Sequence, residues 1–300
     1  MGGTGDIAVG AAGATTLLAL FMLAVRVHGP NRWQRLVWAF KVSAHEGPKI
    51  IIETIEGAET DLYRRPDVGF GAVAAVAQLS TALNASRGGL VRRLARSLEH
   101  PVELGFSSEQ KADSWCSDAD TVIVGGPKSN EITAEVLRAF GCQPPQKATL
   151  DEKELLRRTS DLRPSKARPA EGLGVATQGN GIYWFGQKYE GSVRVATDPI
   201  PGTSGYNGFD YGVVLRLPSP TNPTRRTVVV FGSQTFGVVA ASSWLVNLRS
   251  RAAGRLVRKV MAKHPNVAVL VKVDVTDGGL GDLELSEIVV LPDQLLPRHW

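Results

Sequence analysis

The chain reads as an α/β protein: a Rossmann-like parallel or mixed sheet with flanking helices, preceded by one N-terminal transmembrane helix. Three observations predict this. Residues 7–25 form an apolar run without a single charge. Two β-branched runs, at 121–124 and 228–231, each lead into a glycine turn and then a helical segment; strand, turn and helix are the unit of a parallel sheet. Two more apolar runs, at 267–273 and 283–291, flank Asp277-Gly278-Gly279, the mark of a hairpin.

As a helix rising about 1.5 Å per residue, residues 7–25 span roughly 28 Å, which matches a bilayer's hydrocarbon core and leaves no backbone group unpaired. A cleaved signal peptide fits less well. It wants a basic start and a small-x-small site, whereas residues 1–6 hold no Lys or Arg and no such site follows Met22. A buried core helix is the other alternative, but core helices seldom run this far without a charge. Arg26, Arg32, Arg35 and Lys41 follow the run and no basic residue precedes it. The positive-inside rule therefore puts the main domain in the cytoplasm. The organisation expected is an anchor at 1–26, an amphipathic juxtamembrane segment at 27–47 and an α/β domain at 48–300, with an irregular β-rich insertion at about 143–205.

Composition agrees with a folded domain. The chain has 300 residues, 43% hydrophobic and 21% charged, with a formal net charge of +5. That is enough chain for a real core. Basic residues crowd 87–96 and 157–168, which suits phosphate-bearing partners or anionic headgroups. No helix-turn-helix signature, zinc-finger spacing or aromatic-interleaved basic run points to nucleic acid. Two cysteines far apart, Cys116 and Cys142, and five scattered histidines build neither a disulfide framework nor a metal site. No cofactor is singled out.

Along the chain, Trp33, Leu36, Val37, Trp38 and Phe40 alternate with basic residues over 31–42, as in a headgroup-layer helix or an ordinary domain helix. Residues 49–55 are isoleucine-rich and fit a strand or a helix start. Gly69-Phe70-Gly71 opens an alanine-rich helix over 72–85, and 90–98 reads as a second helix stopped by Pro101. Short strands follow at 102–106 and 121–124, then a helix at 130–140. Residues 181–186 and 192–196 suggest strands inside the irregular region. Strands at 211–217 and 227–231, joined by a proline-rich connector, precede a long helix over about 238–262.

The residues singled out for chemistry lie at the two glycine turns. The first offers Gly125, Gly126, Ser129 and Asn130; the second offers Gly232, Ser233, Gln234, Thr235 and Gly237. The first turn of a helix carries unpaired N–H groups and partial positive charge, and glycine lets a phosphate approach the backbone. In an open parallel sheet such turns gather at the carboxyl ends of the strands, where ligands bind. Helix capping by Ser129 or Asn130 explains the first turn equally well. Neither turn is a G-x-G-x-x-G fingerprint, a phosphate loop or a nucleophile elbow. Asp210, before a strong strand, is the catalytic candidate, with a plain turn residue as the alternative. Gly69-Phe70-Gly71 is a third such turn. Glu53 and Glu56 read as two carboxylates on one helix face.

The segments 120–130 and 210–218, with 228–237 behind them, resemble motifs of poorly characterised prokaryotic Rossmann-like proteins that carry a Gly-Gly-Pro-x-x-Asn turn, some of them membrane-anchored. The resemblance extends over residues 120–245. It implies a Rossmann-like fold and a nucleotide-type ligand, with no reaction to carry over. Nucleoside deoxyribosyltransferases and TIR-type hydrolases differ in having a nucleophilic glutamate that this sequence does not place. Three functions are thus in play: a membrane-anchored cytoplasmic sensor or effector binding a nucleotide or other phosphorylated small molecule; a hydrolase or glycosyl-transfer enzyme using Asp210; and an interaction protein in which the glycine turns are only caps.

Overall fold

The computed structural model describes residues 49–53, 55–56, 66–85, 103–106, 119–141, 165–166, 174–178, 181–195, 205–246, 260–261 and 263–292. The expected anchor and juxtamembrane segment, the helix at 90–98 and residues 247–259 of the long helix lie outside them. Among the described residues no helix is long and apolar enough to cross a membrane.

In chain order the elements are β1 (Lys49–Ile52), β2 (Ile55–Glu56), β3 (Pro66–Asp67), α1 (Phe70–Ala85), β4 (Glu103–Phe106), β5 (Thr121–Val124), α2 (Glu131–Ala139), β6 (Ser165–Lys166) and β7 (Val175–Gln178). There follow β8 (Gly181–Trp184), β9 (Gln187–Glu190), β10 (Ser192–Val195), β11 (Tyr206–Pro218), β12 (Arg226–Gly232), α3 (Thr235–Val246), β13 (Val267–Thr276) and β14 (Gly279–Val290). Among the described residues nine strands form one mixed sheet in the order β4-β1-β5-β12-β11-β13-β14-β6, with β10 beside the first part of β11. The half from β4 to β12 is parallel; from β12 through β11 and β13 to β14 every pairing is antiparallel. The architecture is α/β.

Both faces of this sheet are covered, which is why its central strands carry apolar side chains on both faces rather than on one. Ile50, Ile52, Val122, Val124, Val228 and Val230 point to one face, where they meet Ala72, Ala75, Val76 and Leu79 of α1 and Ala240, Ala241, Trp244 and Leu245 of α3. Ile51, Ile123, Val229 and Phe231 point to the other. There they meet Ile132, Val136 and Leu137 of α2, and Val175, Ile182 and Trp184 of the small sheet β7-β8-β9. The isoleucine run at 49–52 is therefore strand, not helix start: period-2 burial on two faces satisfies it and one helix face would not. Glu53 and Glu56 accordingly share no helix; one follows β1 and the other lies in β2.

Turn chemistry sets the hairpins. Asp277 and Gly278 both have positive φ, 51° and 76°, the conformation a two-residue connection between β13 and β14 needs. The irregular region does contain β-structure: β7 to β9 form a meander and β10 joins the main sheet. The guanidinium of the buried Arg216 donates to the carbonyls of Met261, His264 and Pro265, the end of the helical turn before β13. Carbonyls at a helix end carry partial negative charge and suit a cation.

Candidate functional site

Strands β1, β5 and β12 run parallel and nearly flush, with Ile52 beside Val124 and Val124 beside Val230. Their carboxyl ends therefore share one edge. Ladder bonds continue just beyond the strands: the Glu53 N–H donates to Val124 O at 3.0 Å and the Gly125 N–H to Val230 O at 2.9 Å. From this edge the chain enters α1 and α3 on one face but α2 on the other. The end of β5 is thus flanked on both sides by strands whose helices take the opposite face, the arrangement that opens a crevice in α/β sheets.

The first bend, Gly125 to Asn130, is built around two internal supports. Asn130 is fully buried and caps α2: its side chain accepts from the Thr133 N–H at 3.1 Å and donates to Val124 O at 3.0 Å. The Thr133 hydroxyl ties the turn down through Gly125 O at 2.8 Å. The second support is Glu53. Gly125 has φ +118°, and a Cβ there would collide with the Glu53 side chain, so only glycine fits. Ser129 Oγ donates to Glu53 Oε2 at 2.5 Å. The other carboxylate oxygen has no hydrogen bond among the described residues, and the residue keeps 9% of its surface exposed. Burial holds its carboxyl above the usual carboxylate range, against the Ser129 hydrogen bond.

What stays open on this bend is small and specific. The Gly126 carbonyl accepts from the Ser129 and Asn130 N–H groups, while no described group accepts from the N–H of Gly126 or of Lys128. The nearest atoms to a Cβ on Gly126 would be Thr177 Cγ2 at 3.8 Å and Phe231 Cβ at 3.9 Å. Lys128 is exposed and forms no ion pair with a described residue. Two backbone donors without an acceptor among the described residues and an exposed lysine thus precede the first turn of α2.

The second bend lies on the same edge and is filled by the chain itself. Asp210, fully buried in β11, accepts from the Gly237 N–H at 2.5 Å, the Tyr211 N–H at 2.8 Å, the Ser233 hydroxyl and the Gln234 backbone. Its carboxylate stands at the start of α3 where an anion would otherwise sit. Gly191, between β9 and β10, lies over it: a Cβ there would be 2.7 Å from Asp210 Oδ1 and 2.8 Å from Ser233 Oγ. Burial keeps Asp210 above the usual carboxylate range against those donors. The expectation of an accessible catalytic carboxylate thus meets a sealed helix cap. Ser233 points inward to Asp210, and Gly232 and Gly237 serve close packing: a Cβ at Gly237 would overlap the Tyr211 carbonyl and crowd Gly232 Cα. Thr235 is exposed and Gln234 half-buried. The third turn lies beside the second, with a Cβ on Gly71 falling 2.7 Å from Thr235 O.

Of the nine expected ligand-binding residues, then, the structure leaves Gly126 open and Ser129 half-buried at the first bend, makes Gly125 and Asn130 its frame, and gives Gly232, Ser233 and Gly237 to the packing and capping of α3. Sequence reasoning passed over Glu53 as a site residue. The one signal available was a lone acid directly after an isoleucine strand, which must find a donor if buried. Among the described residues no group of three or more His, Cys, Asp or Glu is arranged to hold a metal ion. No protein-family model matches the chain, and no curated protein is significantly similar to it.

Proposed function

We propose that this chain is a single-pass membrane protein whose cytoplasmic, Rossmann-like α/β domain binds a nucleotide or other phosphorylated small molecule at the first glycine bend, as a sensor or effector. The observation that carries this reading is the pair of N–H groups, on Gly126 and Lys128, for which no described residue provides an acceptor, at the end of the strand where the crossovers change face. A phosphate oxygen satisfies such donors, the start of α2 adds partial positive charge, and the Lys128 ammonium adds a full one. The membrane part rests on residues 7–25 and the basic residues after them.

Binding is favoured over catalysis because the catalytic candidate is committed elsewhere. Both Asp210 oxygens are bonded within the domain, and none of the residue's surface is exposed. The test is calorimetric titration of the full chain, reconstituted in lipid nanodiscs, with a panel of nucleoside mono-, di- and triphosphates and inorganic phosphate. The reading expects saturable binding of at least one nucleotide and loss of that binding in Gly126→Val. A panel giving only heats of dilution overturns it.

A further inference from the structure

We infer that Glu53 is the specificity residue of this site, accepting a hydrogen bond from a sugar hydroxyl of a ligand whose phosphate lies on the Gly126–Lys128 bend. This rests on the phosphate-binding reading above and narrows it to phosphorylated ligands with a free hydroxyl, such as ribonucleotides or sugar phosphates.

Parallel pairing of β1 with β5 sets Glu53 beside Gly125, one strand over from the bend that offers free donors. Its side chain is held there by three things: the ladder bond from its own N–H to Val124 O, the contact with Gly125 that excludes any Cβ, and the Ser129 hydroxyl on Oε2. A carboxyl so constrained, with one oxygen engaged and the other without a described donor, is a preformed acceptor. The donor it lacks is what a hydroxyl brings. Ser129 joins the two halves of the site, since its N–H closes the bend on Gly126 O while its hydroxyl orients Glu53. The ligand is thus read as anionic at one end and hydroxylated at the other.

The same chemistry excludes Asp210 from this role. Its oxygens are occupied by four donors from its own domain.

The experiment compares the full chain with Glu53→Gln in nanodiscs, titrating each with inorganic phosphate, with the best-binding ribonucleotide of the panel and with its 2′,3′-dideoxy counterpart. The native chain is expected to prefer the ribonucleotide by about tenfold or more, the range for a hydrogen bond to a charged acceptor. Glu53→Gln binds inorganic phosphate at least as tightly as the native chain and melts no lower, and its preference shrinks to about threefold or less. Because Gln keeps the shape and an acceptor for Ser129, the fold is not the variable. If both proteins bind nucleotide with the same preference, the role of Glu53 is overturned while phosphate binding stands. If the native chain binds neither phosphate nor nucleotide, the parent reading fails and takes this one with it.

Discussion

At the residue scale, glycines that look alike in sequence do opposite work. Gly126 would take a Cβ in ordinary van der Waals contact, with no described atom closer than Thr177 Cγ2 at 3.8 Å, whereas Gly237 is pressed against the Tyr211 carbonyl. Gly126→Val is therefore expected to leave the melting temperature unchanged and weaken nucleotide binding by about tenfold or more, since it crowds the free donors. Gly237→Ala is expected to cost about 2 kcal/mol of stability through overpacking, read by urea denaturation. Equal stability losses in the two would make both turns structural. Asp210→Ala removes a buried cap and strands the Gly237 N–H, so it too is expected to cost about 2 kcal/mol or more. Full stability in that variant would contradict the cap.

Protonation follows from burial at the same scale. Asp120, whose carboxylate accepts from the Arg226 N–H at 2.8 Å, has its pKa raised to about 6, chiefly by burial. A folded-state pKa above the unfolded one means that the native protein binds the extra proton. The stability linked to this group is full below about pH 4 and is lost as pH rises through about 6. Glu53 and Asp210 are shifted in the same direction. The urea midpoint is expected to be higher at pH 5 than at pH 7.5, with a smaller difference in Asp120→Asn. A native midpoint that is flat or falls between those values contradicts the assignment.

At the element scale, legibility tracked sequence distance. The units β5-bend-α2 and β12-bend-α3 were readable because β-branched run, glycine and helix start are contiguous, and the β13-β14 turn because Asp-Gly announces itself locally. The roles of Glu53 and Asp210 were not readable. Glu53 acts on Ser129 across 76 positions and Asp210 on Gly237 across 27, and only the pairing of β1 with β5 and of β11 with β12 brings those partners together. The period-2 burial of residues 49–52 was ambiguous for a related reason: a strand buried on both faces has no alternation to display. The cap of α2 is a local feature, and Asn130→Ala is expected to destabilise the domain by about 1 kcal/mol. No change in its unfolding free energy would show that Asn130 contributes nothing as a cap.

At the scale of the whole molecule, a sheet that changes its crossover face at β5 follows an apolar N-terminal run in the sequence. The sheet supplies an edge on which one bend is filled by the chain's own carboxylate, while on its neighbour two N–H groups have no acceptor among the described residues. As the proposed anchor, the run makes a separable prediction: the chain should stay in the membrane pellet after alkaline carbonate. Leu18→Arg, which sets a charge mid-span at a cost of roughly 2.5–3.5 kcal/mol, should shift it toward the supernatant. Release of the unaltered chain by carbonate would remove the anchor and leave the edge intact.

The central claim is that the Gly126 and Lys128 N–H groups receive an anionic ligand while the α3 cap does not. Amide chemical shifts, followed as a nucleotide is titrated into the isotope-labelled full chain, test it most directly. Saturable shifts are expected at Gly126 and Lys128, with Gly237 stationary. Binding that moves Gly237 and leaves Gly126 and Lys128 in place would contradict it.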